Sequence, residues 1–384
     1  MKFTKTVVTA GLAMFSMFFG SGNLVFPVLM GTQTLDKAPF AAAGLFLTGV
    51  LVPFIGLISV IMYAGDRKRF FSCIGVWPAF FLTFVTLSLM GPFGVLPRCI
   101  IVAYGGIQLF MPDFSFKIFA VIFAVLTSLV IWKHDKIIPI LGRVLTPFLI
   151  AGVGAIIFMG FFYGKPAEPT DLNALRSFSQ GLLEGYQIMD LLAAFFFAAT
   201  AVGYVSVHLT PSDSPKLLPK LSTYSSIIAM ILLGLVYVAF VILGARYAND
   251  LQGIPAEQLL AAIAGYTMGE FAIPIISITI ALACLTTATV LTMLWADFLS
   301  VDITKGRLPR HPAIIITLGI ALLVSFQGFE SIRGFLGTIL QVAYPALITL
   351  ALASIIKKWF SIRKNIAGWA FWGALAVSLG FYYL

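Results

Sequence analysis

Apolar runs long enough to cross a bilayer recur from one end of this chain to the other, and they leave few folds open. A helix needs about 20 apolar residues to span the hydrocarbon core. Runs of this kind occupy residues 6–30, 38–64, 75–110, 116–132, 138–163, 181–207, 221–247, 270–299, 312–327, 333–356 and 366–384. The 384 residues are 60% hydrophobic and 10% charged. A soluble domain carries charge on about a quarter of its residues, so there is too little polar surface here to cover a water-soluble globule. Lipid offers no partners to backbone N–H and C=O groups, and runs of this length satisfy them as helices. The expected fold class is an all-α polytopic membrane protein with about eleven transmembrane helices.

The net charge of +9 does not point to nucleic acid, because the basic residues sit in short clusters between the apolar runs. One set of loops holds Lys2 and Lys5, Arg67-Lys68-Arg69, Lys133 and Lys136, Lys216 and Lys220, Lys305 with Arg307 and Arg310, and Lys357-Lys358 with Arg363-Lys364. The alternate loops hold only Lys37, Lys117, Lys165, Arg176, Arg246 and Arg333. Cytoplasmic loops carry the excess of Lys and Arg, so the N-terminus is expected in the cytoplasm of a multi-pass protein of the inner membrane. Residues 1–30 do not read as a signal peptide: the apolar run is too long, contains Asn23 and Pro27, and lacks a cleavage site. Cys73, Cys99 and Cys284 have neither disulfide nor metal-motif spacing.

The first run contains FSMFFGSGNLVFP, residues 15–27. Each Gly costs a helix about 1 kcal/mol relative to Ala and an interior Pro about 3 kcal/mol, a burden that a mere anchor would not carry. The sixth run opens LLEGYQIMDLLA, with Glu184, Gln187 and Asp190 in one apolar stretch. A charge at the bilayer centre costs roughly 2.5–3.5 kcal/mol on insertion scales. The first and sixth runs therefore predict broken helices, at corresponding places in two five-span halves. Since five is odd, the halves start on opposite sides of the membrane and any repeat is inverted. The expected organisation is residues 1–163 as the first repeat, 164–180 (GKPAEPTDLNALRSFSQ) as an external loop, 181–356 as the second repeat, and 357–384 as a basic cytoplasmic loop with the eleventh span. Paired interrupted segments are the sequence pointer to a transporter site at the midplane. Glycines at the break release backbone N–H groups that suit a carboxylate and carbonyls that suit a cation. Close helix packing is the competing explanation for the glycines.

Other features are less decisive alone. The third run is too long for one straight crossing, and Gly91, Pro92, Gly94 and Pro97 predict a kink or unwinding there. The eighth run holds Thr286, Thr287, Thr289 and Thr292; their hydroxyls suit a small cation or bond the carbonyl one turn back. Arg98 is a buried charge that either pairs with an acidic residue or snorkels. His134, His208 and His311 fall at cytoplasmic span ends, where no relay is expected. Residues 248–269 suggest a short amphipathic helix on the outer surface. Phe18, Phe19, Phe195, Phe196 and Phe197 flank the two breaks, and one or two of them should line an apolar pocket.

FFGSGNLVFP, GPFGVLPR (91–98), LLEGYQIMDLLA and LACLTTA, in this order and spacing, resemble the branched-chain amino acid:cation symporters of bacteria, over nearly the whole chain. The resemblance implies a leucine-transporter-like five-plus-five inverted repeat that imports leucine, isoleucine and valine with sodium. By position, it implies that Gly20, Ser21, Gly22 and Asn23 frame the substrate carboxylate. Glu184, Gly185, Tyr186 and Asp190 of the second break complete the candidate substrate site. It further implies sodium held by carbonyls of Ser16 and Phe19, by Ala283, and by the hydroxyls of Thr286 and Thr287. A proton is the alternative coupling ion and other apolar amino acids the alternative substrates. Members of that family often carry a twelfth span, whereas eleven are read here. A channel would want polar rings along several helices, whereas polarity concentrates here in two breaks. An intramembrane enzyme would want a nucleophile–base pair, a metal-binding His motif or a nucleotide loop, and none is visible.

Overall fold

The computed structural model describes residues 2–132, 146–207, 209, 214–362 and 364–383. The first apolar run is two helices, α1 (Lys2–Phe18) and α2 (Ser21–Thr34). After a turn at Leu35–Lys37 the chain returns through α3 (Ala38–Phe46) and α4 (Val52–Ile61), joined by a π-helical stretch at Leu47–Leu51. A short helix, α5 (Arg67–Phe71), leads to the third run, which is again two helices, α6 (Val76–Met90) and α7 (Val95–Gln108). Then come α8 (Phe116–Trp132) and α9 (Thr146–Tyr163). The second half follows as α10 (Ala174–Ile188), α11 (Asp190–Ser206), α12 (Ser214–Arg246), α13 (Leu259–Met268), α14 (Ala272–Asp297), α15 (Arg310–Ser325), α16 (Phe329–Trp359) and α17 (Ile366–Tyr383). Among the described residues, five helical runs qualify as membrane spans by length and composition. The bent pair α10–α11 makes a sixth, and five shorter apolar helices accompany them. The start of the fifth expected run, Lys133, Lys136, His134 and His208 lie outside the described residues.

Two sequence expectations change. The sixth span begins earlier than residue 181, because Asn173 accepts a hydrogen bond from the Arg176 backbone N–H at 2.7 Å and starts α10 there. A side-chain oxygen at that position satisfies one of the free donors of a helix start. The 248–269 segment does not carry an amphipathic helix lying on the surface. In α13, Leu259 through Ala264 and Thr267 are buried, and the helix packs on α14, α9 and α2. A helix that is apolar all round is driven inside.

The helices pair in a pattern that exchanges the two halves. Helix α2 packs on α12, as α10 packs on α3; α1 packs on α12, as α11 packs on α4. The first two crossings use reciprocal glycines. A Cβ on Gly31 would lie 2.0 Å from the Val241 carbonyl oxygen, and one on Gly244 would lie 2.0 Å from that of Val28. At the other crossing, a Cβ on Gly181 would lie 2.0 Å from the Ala41 oxygen, and one on Gly44 would lie 2.1 Å from that of Phe178. Backbones touch at both places, as small residues allow where lipid removes any hydrophobic drive for helices to associate. The crossings place both broken pairs side by side.

The turn between α2 and α3 is tied to the polar 164–173 loop. Asp36 accepts from the Thr170 backbone at 3.1 Å, and the neighbouring Lys37 ammonium, at 2.6 Å, holds the Asp36 carboxyl below its usual range.

The glycine crossings give a direct test. Gly181→Val should destabilise the detergent-solubilised protein by about 1–3 kcal/mol, the usual range for overpacking. Gly154→Ala, whose Cβ would meet nothing within 4 Å, should leave the thermal transition unchanged or slightly raised. Equal behaviour of the two variants would remove the packing argument.

Candidate functional site

The first break is built by its glycines. Gly20 adopts an extended conformation, with φ −129° and ψ −157°, and α2 restarts at Ser21. A Cβ on Gly20 would stand 2.7 Å from the Thr287 hydroxyl oxygen, so only glycine lets the break approach α14. A Cβ on Gly22 would stand 3.0 Å from the Ile188 carbonyl oxygen, so the start of α2 lies against the end of α10. Asn23 folds back and accepts from the Gly20 backbone N–H at 2.7 Å, which satisfies one donor released by the break.

The second break turns on Met189, a buried residue in the left-handed region with φ 68° and ψ 16°. That conformation costs a non-glycine residue about 1–2 kcal/mol, and the two helices bend by 44° across it. Arg98, fully buried on α7, holds the bend. Its guanidinium donates to the Gln187 carbonyl at 2.9 Å and to the Met189 sulfur at 3.1 Å, while its Nε has no partner among the described residues. The sequence left open an acidic partner for Arg98; the groups it bonds are a backbone carbonyl and a thioether.

The two breaks are joined by one carboxylate. Asp190, 3% exposed at the first position of α11, accepts from the Asn23 amide at 2.9 Å and from the Tyr237 hydroxyl at 2.6 Å through the same oxygen. Asn23 and Tyr237 also meet each other. A negative charge at a helix N-terminus faces the favourable end of its dipole. Tyr237 was missed in the sequence; the only signal is a lone hydroxyl in the apolar run LLGLVYVAFV.

Around this junction lies a cavity of about 20 Å³. Gly20, Ser21, Gly22, Asn23, Asp190 and Thr287 supply its polar side. Met17, Phe18, Met90, Val95, Ile188, Met189, Ala193, Phe197 and Leu291 supply the apolar side. Of the five phenylalanines flanking the breaks, Phe18 and Phe197 line it, in edge contact at 5.1 Å. Met90 and Val95 come from the broken third run, so three interrupted spans meet here rather than two.

Three candidate residues point elsewhere. Glu184 forms an ion pair with Arg333 of α16. A Cβ on Gly185 would stand 2.0 Å from the Thr48 hydroxyl, so this glycine admits the π-helical stretch before α4. Tyr186 packs at a tilt on Tyr344, with ring centroids 4.5 Å apart. None of the three lines the cavity: they lie in α10 a turn before the break at Met189, and each is taken up by a neighbouring helix.

The five cation-site candidates divide. The Thr287 hydroxyl reaches across to the Phe19 carbonyl at 3.4 Å. Thr286 donates back to the Ala283 carbonyl at 2.8 Å, and Thr289 to that of Leu285 at 2.7 Å. Ser16, Ala283 and Thr286 line a second small cavity with Thr279, and the buried Ser16 hydroxyl has no partner among the described residues. Hard oxygen groups therefore gather between α1 and α14.

A family model described as branched-chain amino acid transport protein matches residues 3–381. The chain belongs to this family. Within the family, it is 26% identical over 383 residues to the branched-chain amino acid permease BrnQ of Bacillus subtilis, covering 97% of this chain and 86% of the relative. It is 28% identical over 382 residues to the branched-chain amino acid transport system 3 carrier protein of Pseudomonas aeruginosa, covering 94% and 84%. Among solved structures it is similar to Mhp1, a nucleobase-cation-symport-1 family transporter in a closed conformation with bromovinylhydantoin bound. That match has a TM-score of 0.63 at 13% identity and covers 97% of this chain and 91% of the other. A manganese transporter of Eremococcus coleocola matches with a TM-score of 0.53 at 14% identity, covering 98% and 85%. The fold is therefore the all-helical leucine-transporter type of five-plus-five inverted repeat.

The shared carboxylate can be tested in this family member. Tyr237→Phe removes one donor and should cost about 1.5–3 kcal/mol, the range for hydrogen bonds to charged groups, read as a lower thermal transition. In an Asp190→Asn background the same change should cost much less. Additive losses would show that the two residues act separately.

Proposed function

We propose that this chain imports leucine, isoleucine and valine across the bacterial inner membrane, coupled to sodium. The observation that carries the reading is the cavity where the breaks meet, polar on one side and apolar on the other. The first N–H groups of α2, at Ser21 to Asn23, suit a carboxylate, because a helix start presents unpaired donors and a positive dipole end. Asp190 and the carbonyl end of α10 suit the ammonium group. Phe18, Met90, Val95, Phe197 and Leu291 suit a branched side chain. The cavity is smaller than leucine in this conformation, so binding requires the broken helices to move apart from α7 and α14.

The clustered basic loops support a cytoplasmic position for the end that holds Arg67-Lys68-Arg69, and the end holding the Glu184–Arg333 pair is then external. That pair links α10 to α16 and closes the site on the outer side. Sodium moving down a 100 mV potential supplies about 2.3 kcal/mol per charge. The Phe19 carbonyl and Thr287 hydroxyl, with Ser16, Ala283 and Thr286 nearby, would hold the ion. Bound there, it supplies a positive charge that ties the first break to α14. Oxygen groups without a carboxylate cage suit a monovalent ion better than calcium.

Counterflow in proteoliposomes tests substrate and ion together. Leucine, isoleucine and valine should compete well and alanine poorly, at about 1 kcal/mol per buried methylene. Thr287→Val should raise the sodium concentration for half-maximal uptake, with Thr286→Val moving it less, since that hydroxyl already serves its own helix. Substrate affinity at saturating sodium should change little. Equal competition by alanine or lysine would overturn the substrate assignment. Sodium curves unmoved in both variants, or uptake that follows pH and ignores sodium, would overturn the ion assignment.

A further inference from the structure

A larger cavity, about 230 Å³, lies away from the breaks, at the end of the molecule carrying Arg67, Lys68 and Asp302. Its apolar wall is made by Val76, Ala79, Phe80 and Thr83 of α6 with Phe298. The same helix turns Val76, Trp77 and Phe81 outward, 80%, 83% and 66% exposed. The groove is therefore continuous with an exposed apolar face, and an exposed aromatic such as Trp77 suits a membrane–water interface.

The polar rim holds an uncommitted cation. The Arg67 guanidinium rests on the Phe196 ring at 5.1 Å and, among the described residues, donates no hydrogen bond. Three carboxylates influence it, those of Asp302, Asp297 and Asp66, but each is engaged elsewhere. Asp66 accepts from the Arg69 backbone at 3.0 Å, Asp297 pairs with Arg310 at 2.8 Å, and Asp302 holds Lys68 at 2.5 Å. Arg67 thus keeps a planar fork of donors above an apolar groove, and Lys68, with a 72% exposed side chain, can swing to the same point. A guanidinium fork matches phosphate geometry, and a basic site at this depth draws anionic headgroups.

We propose that this groove binds an anionic phospholipid, its phosphate between Arg67 and Lys68 and one acyl chain along α6. The leaflet is the cytoplasmic one, a clause that rests on the orientation argued above. Since Arg67 covers Phe196 on α11, a bound lipid fixes the cover over the helix that begins at Asp190.

The test reads lipid retention directly and needs no transport, so its failure is distinct from failure of the transporter reading. Purified full-length protein in detergent is given equimolar phosphatidylglycerol and phosphatidylcholine of the same chains, and bound lipid is counted by native mass spectrometry. The wild type should retain phosphatidylglycerol in preference. Arg67→Gln and Lys68→Gln should each lower its retention about 5-fold, while Arg67→Lys, which keeps the charge and loses the fork, should lower it less. Asp302→Asn, which frees Lys68, should raise retention, a direction that a merely structural role for the pair would not give. Thr83→Trp, which fills the groove and changes no charge, should lower it. Should Arg67→Gln fail to fold, the exposed Lys68 and its partner Asp302 still decide the matter. Equal retention of both lipids by the wild type, or retention unmoved in the Lys68 and Asp302 variants, would overturn the proposal. Displacement of the lipid by glycerol phosphate at equal concentration would also overturn it, marking a site for free anions.

Discussion

A backbone that leaves helical geometry inside a bilayer has no water to satisfy it, and the centre of this molecule is organised around that constraint. Each released group costs several kcal/mol if left alone in hydrocarbon. The two breaks meet, and buried side chains beside them supply the partners. Asn23 caps the Gly20 amide with its oxygen and reaches Asp190 with its nitrogen. Arg98 takes the Gln187 carbonyl at the end of α10. Among the described residues, what stays without a hydrogen bond is the start of α2 and the second Asp190 oxygen, beside a cavity lined by phenylalanine, methionine and leucine. The satisfied groups hold the shape, and under the proposed function the unsatisfied ones would take the two charges of an amino acid.

The same arrangement separates what is tightly held from what can move. Backbone contact at the Gly31–Gly244 and Gly44–Gly181 crossings locks α2 to α12 and α3 to α10. Its links to the surrounding helices include polar contacts, from Thr287 to the Phe19 carbonyl, Arg98 to the Gln187 carbonyl, Glu184 to Arg333 and Lys68 to Asp302, beside apolar ones such as Phe26 on Phe329. The polar contacts exchange readily for water, whereas interlocked glycine faces do not. A transporter needs that contrast, because one packed unit must tilt against another around a fixed site.

Much of the fold was legible in the sequence. The apolar runs, the GSGN break, the overlong third run and the charged sixth run are local patterns, and their cause is local: backbone propensity and the cost of polarity in lipid. The finer site was less so. Glu184, Gly185 and Tyr186 sit within six residues of Asp190, yet each is taken up by a neighbouring helix, a turn before the left-handed break at Met189. Tyr237 lies 47 residues from its partner Asp190, and nothing near it in the sequence names that partner. The threonine cluster was ambiguous for a physical reason: a hydroxyl on a helix can bond its own carbonyl or a neighbour's. Thr286 and Thr289 do the former and Thr287 the latter, a choice set by how closely Gly20 lets α14 approach.

The central claim is that substrate binds where the breaks meet, and substrate protection of a cysteine placed there tests it most directly. Ala193 lines the cavity one turn beyond Asp190, and Gly203, on the same helix, is exposed with open space around it. In a protein with Cys73, Cys99 and Cys284 replaced, leucine should slow alkylation of Ala193→Cys several-fold and leave Gly203→Cys unchanged. Alkylation of Ala193→Cys unaffected by leucine, in a variant that still transports it, would contradict the account and place the substrate elsewhere.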